Sequence, residues 1–287
     1  MMKHILFVTV ALILNGCASK PTAPKENNPT VNQVAATTSK MWRLTFDKRL
    51  EQNDFAAPIL NLDFGSETLP FLVDTSSTSH SIDKWAADAL QISSGDNVIQ
   101  ADFKIYAQEF PAANFQVTKM NPRYEANGVA GHISPQLLIG ENAMAMDFLN
   151  SKMFHDTFEH LAQQFNVNEN KTSACLKQNS KGTSLYILPV KINGSELNML
   201  VDSSAEDTVI KLNHPLAKDL LKNRNGKLFK LHKVKISLAG KKVSRLIDIK
   251  ELPSLPCKAD GLLGMDVLKL CILIMDKNQL AINCQAH

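Results

Sequence analysis

Short runs in which apolar and polar residues take turns recur along the chain, separated by breaks rich in Gly and Asn. Ile59-Leu-Asn-Leu-Asp-Phe64 reads as a strand, Gly65-Ser66 as a turn, and Thr68–Val73 as the returning strand. Ile187–Val201 repeats this hairpin around Asn193-Gly194, a pair suited to a turn that needs positive φ. Val98–Ala107 and Asn114–Lys119 add strands to the first half, and Met144–Phe154 supplies its closing strands. Helical patterns are short: Ser81–Leu90 starts near Ser81, and Asp156-Thr-Phe-Glu159 resembles a capping box opening a helix to Phe165. The run Cys271–Cys284 reads as a final hairpin. The chain is therefore expected to be mainly β with a few short helices.

The pattern occurs twice. Shifted by 128 residues, Ile59–Ile82 lies over Ile187–Ile210 without a gap, with Ile59, Leu60, Leu69, Leu72, Val73, Asp74, Ser76 and Ile82 identical in the second copy. Chance agreement between two strands would share apolar letters more readily than the Asp and the Ser. A second pair, Ala126-Asn-Gly-Val-Ala-Gly131 and Ala259-Asp-Gly-Leu-Leu-Gly264, aligns at a shift of 133. Two copies make a pseudo-dimer and not a solenoid.

Each copy delivers one Asp at the end of an apolar run: Leu72-Val-Asp-Thr-Ser and Leu200-Val-Asp-Ser-Ser. Together with Gly128-Val-Ala-Gly and Gly261-Leu-Leu-Gly-Met-Asp, these stretches resemble the two-lobed aspartic peptidases, and in detail the retropepsin-like family. The resemblance covers roughly residues 41–284. It implies two homologous β-barrel lobes, with Asp74 and Asp202 meeting between them as a catalytic pair. It implies that Thr75 and Ser203 lock the two loops together. It also implies a flap over the cleft, formed by one of the first-half hairpins, with Tyr106 as its candidate aromatic; a half-buried strand residue is the alternative for that Tyr. It departs from the family at Ser76 and Ser204, where the family has Gly.

Two carboxyls that close cannot both ionise, so one stays protonated while the other acts as base toward a water. The alternative for a single Asp is a turn residue after a strand. That reading explains one copy and not two with matched flanks.

The ends and the bulk composition change the picture in other ways. Lys3, the apolar run Ile5–Leu14 and Leu14-Asn-Gly-Cys17 resemble a bacterial lipoprotein signal, with Cys17 acylated; an ordinary signal peptide with an incidental Cys is the alternative. Ala18 after it implies delivery to the outer membrane, facing the periplasm. The expected organisation is a signal peptide over 1–16, a lipidated tether over 17–40, a first lobe over 41–168, a linker over 169–182 and a second lobe over 183–287. The 18–40 stretch is too polar to bury a core.

Of five cysteines, Cys17 aside, four remain for an oxidising compartment. A last turn at Lys277-Asn278 sets Cys271 opposite Cys284, which leaves Cys175 for Cys257; free thiols are the alternative.

Net charge is +3 over 287 residues, but Lys211–Lys250 carries twelve Lys or Arg against Asp219 and Asp248. That stretch is either a solvated basic face or a contact for anionic lipid or an acidic partner. No Cys-x-x-Cys or His-x-x-x-His is present, and His155 and His160 are five apart, so no metal site is expected. No cofactor is expected either. Ser76–Ser79 lacks the Gly-x-Ser-x-Gly context of a serine nucleophile, and no phosphate loop or nucleic-acid motif is found. The function expected is hydrolysis of peptide bonds in the cell envelope. The alternative is an inactive relative whose cleft binds a peptide or protein partner.

Overall fold

The structure is a computed structural model that describes residues 40–46, 57–92, 97–140, 142–167, 171–178, 183–222 and 231–285. The expected signal peptide, Cys17 and tether lie outside the described residues, as does 223–230 of the basic run. In the first half the strands are β1 (Lys40–Arg43), β2 (Thr45–Phe46), β3 (Pro58–Asp63), β4 (Thr68–Val73), β5 (His80–Asp83), β6 (Val98–Ile105), β7 (Gln108–Thr118), β8 (Gly131–Ile133), β9 (Ala143–Asp147) and β10 (Lys152–Asp156). Helices α1 (Lys84–Ala89), α2 (Pro122–Ala126) and α3 (Phe158–Gln164) lie among them. The second half has β11 (Lys171–Gln178), β12 (Thr183–Ile192), β13 (Ser195–Val201), β14 (Val209–Lys211), β15 (Leu231–Leu238), β16 (Lys241–Lys250), β17 (Gly261–Leu263), β18 (Cys271–Met275) and β19 (Gln279–Cys284). Its helices are α4 (Pro215–Lys222) and α5 (Met265–Leu268).

These strands close into two six-stranded barrels. The first runs β3-β4-β8-β5-β7-β6 and closes where Asp63 pairs with Lys104. The second runs β12-β13-β17-β14-β16-β15 and closes where β12 meets β15. In each, alternate side chains of the hairpins face inward, so Phe71, Val73, Met199 and Val201 are buried in the core. Six further strands, β1-β10-β9-β18-β19-β11, form a sheet drawn from both halves. Phe158, Leu161 and Ala162 of α3 cover it by packing on Ala143, Ala145, Ile274 and Ala281. Burying a side chain such as Leu161 contributes about 2 kcal/mol.

In both barrels a parallel pair crosses beneath the strand that ends in Asp. β4 pairs with β8 as Phe71↔Gly131, Leu72↔His132 and Val73↔Ile133, and β13 pairs with β17 as Met199↔Gly261, Leu200↔Leu262 and Val201↔Leu263. The two glycines are equivalent for one physical reason. A Cβ on Gly131 would sit 2.0 Å from the Ser81 carbonyl oxygen, and one on Gly261 would sit 2.0 Å from that of Val209. This register corrects the alignment expected from the letters. The shift here is 130 and not 133, so Gly131-His-Ile-Ser134 lies over Gly261-Leu-Leu-Gly264. Gly128, which the letters selected, is a turn residue at φ +75° with open space where its side chain would be.

The structure differs from the sequence pattern in other places. The β6–β7 hairpin is not a flap: it is built into the barrel wall, and its tip lies beside Asp63, where β3 turns into β4. Tyr106 stands at that tip, 62% exposed, at the end of β4 opposite Asp74 and about 20 Å along the strand from it. Lys171–Gln178, in the segment read as a linker, is a strand that pairs with β12 and β19. Helix α1 starts after Asp83, whose carboxylate accepts from the Trp85 amide, because Ser81 belongs to β5. Thr157, not Asp156, caps α3 by accepting from the His160 amide.

Disulfides join Cys175 to Cys257 and Cys271 to Cys284; the second links directly opposed residues of the β18–β19 hairpin.

Candidate active site

Asp74 and Asp202 each leave the end of a central barrel strand, and each loop is held from below. The Asp74 amide donates to Ile133 O at 3.0 Å and the Asp202 amide to Leu263 O at 3.1 Å. Both loops are then tied to each other. Thr75 Oγ1 donates to Val201 O at 3.0 Å and accepts from the Ser203 amide at 3.0 Å. Ser203 Oγ donates to Val73 O at 2.7 Å and accepts from the Thr75 amide at 3.1 Å. These four bonds are buried and related by the pseudo-two-fold axis of the chain. Gln136 adds a tie, its Nε2 donating to Thr75 O at 2.9 Å and to Ser184 O at 3.1 Å.

The residues that stand where the family has Gly fit without left-handed backbone: neither Ser76 nor Ser204 has positive φ. Each turns its hydroxyl onto its own Asp. Asp74 Oδ1 accepts from Ser76 N and Ser76 Oγ, both at 2.8 Å. Asp202 Oδ1 accepts from Ser204 N at 2.9 Å, Ser204 Oγ at 2.7 Å and Ala205 N at 3.0 Å.

Both Asp side chains belong to buried residues, 6% and 7% exposed. Burial holds the Asp74 carboxyl above the usual range, against the opposing pull of the Ser76 hydrogen bonds and the Ser204 hydroxyl. Burial, with the Asp74 charge adding to it, pushes Asp202 up to about 6, against the Ser204 and Ala205 hydrogen bonds. The Asp74 charge is felt at Asp202, and the Thr75–Ser203 clasp holds the two loops side by side.

These features decide the architecture, and solved structures share it. An aspartic proteinase from Irpex lacteus matches at a TM-score of 0.51 with 10% identity, over 86% of this chain and 98% of that one. The fold is that of the two-lobed aspartic proteinases. Conglutin gamma, a unique basic 7S globulin from lupine seeds, also matches, at a TM-score of 0.50 and 8% identity, over 86% of this chain and 96% of that one. No family model and no curated protein matches the chain. One aspartic-proteinase fold thus carries a protein named as a proteinase and another named as a seed globulin, so chemistry has to be argued from the site.

Within this aspartic-proteinase fold, Gln136 and four more residues at the site carry no signal in the hydrophobic pattern of the sequence. His132, on β8, places Nδ1 3.9 Å from Asp74 Oδ2. Burial lowers its pKa and the Asp202 charge partly restores it. Tyr124 of α2 donates from its hydroxyl to Ser204 O at 3.4 Å, and Arg123 Nη1 pairs with Glu206 Oε1 across the lobes. Burial, with the Glu206 charge adding to it, pushes the Tyr124 phenol up to about 12. A signal for His132 existed in the letters: aligning Gly131-His-Ile with Gly261-Leu-Leu exposes a His where the other copy has Leu. Among the described residues no group of three or more His, Cys, Asp or Glu is placed to hold a metal ion.

Proposed function

We propose that the chain is an aspartic peptidase that hydrolyses peptide bonds with Asp74, Asp202 and one water between them. The observation that carries this reading is the pair itself: two buried carboxyls, one from each lobe, both shifted toward the protonated form and held by reciprocal bonds through Thr75 and Ser203. The ionised carboxyl takes a proton from the water, whose oxygen attacks the peptide carbon. The protonated carboxyl donates to the carbonyl oxygen, and a proton then passes to the leaving nitrogen. Fixed geometry serves this chemistry because the carboxyls do not have to be ordered at the moment of reaction.

A second reading is a cleft that binds a peptide or protein partner without cutting it. Ser76 and Ser204 favour it, because each adds a hydroxyl donor to a carboxylate oxygen where the family has glycine. Incubating the purified chain with a diverse peptide library between pH 3 and 8, and reading new termini by mass spectrometry, separates the two. The peptidase gives cleavage that a statine-type peptide suppresses, since its hydroxyl takes the place of the attacking water. Tight binding of library peptides with no new termini at any pH would establish the second reading.

We further propose a lipid-anchored place in the cell envelope, at the outer membrane and facing the periplasm. Leu14-Asn-Gly-Cys17 supports this, and a buried acyl chain contributes about 0.8 kcal/mol per methylene to anchoring. Cells fed a clickable fatty acid should label the protein and not its Cys17→Ser variant. A labelled, membrane-bound variant would contradict the anchor.

A further inference from the structure

Asp74 and Asp202 occupy equivalent positions, yet their surroundings differ: Asp202 Oδ1 accepts one more amide bond, from Ala205, and only Asp74 has an imidazole beside it. Leu72 pairs with His132 in the first lobe, and Leu200 pairs with Leu262 in the second. We infer that His132 is a positioning residue of the pair: its imidazole decides which carboxyl carries the shared proton, making Asp74 the acid and Asp202 the base. This inference rests on the peptidase reading above.

The geometry singles out one oxygen. Asp74 Oδ1 already accepts two bonds from Ser76, which leaves Oδ2 as the oxygen for a proton, and Oδ2 is the one that His132 Nδ1 approaches at 3.9 Å. That is about 1 Å beyond a hydrogen bond, a gap closed by a small ring movement or by one bridging water. The strand holds the residue in place, since the His132 amide donates to Ser81 Oγ at 3.3 Å. The ring keeps a path to solvent, with its side chain 31% exposed.

The surroundings agree with a neutral ring beside a protonated carboxyl. Burial lowers His132 and raises both carboxyls, so the ring and one carboxyl favour the uncharged form. Asp202 Oδ1 accepts three donors and Asp74 Oδ1 two, which favours the remaining charge on Asp202. The titratable groups that bear on the ring are Asp74, from the end of β4, and Asp202, from the other lobe. On β5 the residue opposite it is Ser81, which does not titrate. On α2, Tyr124 is held neutral and Arg123 is paired with Glu206. Protonating the ring places a positive charge beside the pair. It removes the acceptor for the Asp74 proton and weakens Asp202 as a base.

Two variants of the full chain test this, His132→Leu, which copies the other lobe, and His132→Gln, which keeps a hydrogen-bond acceptor. The acid limb of log kcat/KM should fall with a slope of about two per pH unit in the natural chain and about one in both variants, because one titrating group is gone. A purely space-filling residue would leave the slope unchanged in the Leu variant, and that result overturns the inference. NMR titration of the His132 ring gives a readout that needs no activity. Its pKa should fall by about half a pH unit or more in Asp202→Asn, and the ring signals should change in Asp74→Asn. A ring that responds to both substitutions in a chain that cuts nothing overturns the peptidase reading while supporting the coupling. A ring indifferent to both overturns the coupling, whatever the cleavage assay shows.

Discussion

The Thr75 amide donates to the Ser203 hydroxyl at 3.1 Å, and the Ser203 amide donates to the Thr75 hydroxyl at 3.0 Å. Each hydroxyl also donates across the interface, to Val201 O and Val73 O. The two lobes are thus clasped immediately beside their carboxyls. Because all four bonds are buried, deleting one hydroxyl strands two backbone groups, and leaving a buried group unsatisfied costs about 1–3 kcal/mol. Thr75→Val and Ser203→Ala should each lower stability by about 3 kcal/mol in urea titrations. The double variant should lose clearly less than the sum, since each hydroxyl bonds the other residue's own amide and losing either one loosens the loop that the other holds. Additive losses would show that the clasp is two independent contacts.

Ser204 bears on both carboxyls. Its hydroxyl donates to Asp202 Oδ1 at 2.7 Å and also pulls the Asp74 pKa down. A donor favours the ionised form, so its removal raises both pKa values. In Ser204→Ala the pH range of cleavage should move upward by about one pH unit. Ser76→Ala, whose hydroxyl reaches Asp74 only, should move one limb and leave the other in place. A downward move in either variant would contradict the donor role.

Asp266 offers a test of the fold apart from the pair. Its Oδ1 accepts from Thr208 Oγ1 at 2.7 Å, its Oδ2 is buried without a hydrogen-bond partner among the described residues, and burial pushes its pKa up to about 7. The folded form therefore binds a proton that the unfolded form releases above its own value of 3.8. Stability from this group is full below about pH 4 and is lost as pH rises toward 7, by an amount on the order of 4 kcal/mol. Asp266→Asn should stabilise the chain at pH 8 and change little at pH 4, as read from urea midpoints. Equal effects at both pH values would show that Asp266 is ionised in the fold.

Much of this architecture is legible in the letters because strand periodicity is physical. Ile59–Val73 and Ile187–Val201 alternate since one face of each hairpin meets a barrel core. The matched Asp-hydroxyl endings are visible for the same reason, as they follow strands that must repeat their register. Other parts are hidden by the same logic. Strand β11 is polar along Lys171–Ser173, so it carries no apolar alternation there and reads as a joint until β19 is seen to pair with it. The Gly-x-x-Gly letters misplace the crossing strand by three residues, because a turn glycine and a close-contact glycine look alike in a sequence. Only the approach of the Ser81 carbonyl to Gly131 tells them apart. That slip also hid His132. Tyr106 reads as a flap residue because a hairpin signal does not say which way the hairpin curls; the pairing of Asp63 with Lys104 decides that.

In a working peptidase the two carboxyls act as one unit in hydrolysis. Once a cleaved peptide is in hand, kcat/KM should be measured at the pH optimum for the natural chain, for Asp74→Asn, for Asp202→Asn and for the double variant. Each single change should lower the rate by roughly a thousandfold or more, and the double variant should be no worse than either, since each carboxyl is half of one machine. Cleavage that persists in Asp74→Asn, or losses that multiply in the double variant, would contradict a shared Asp74–Asp202 site.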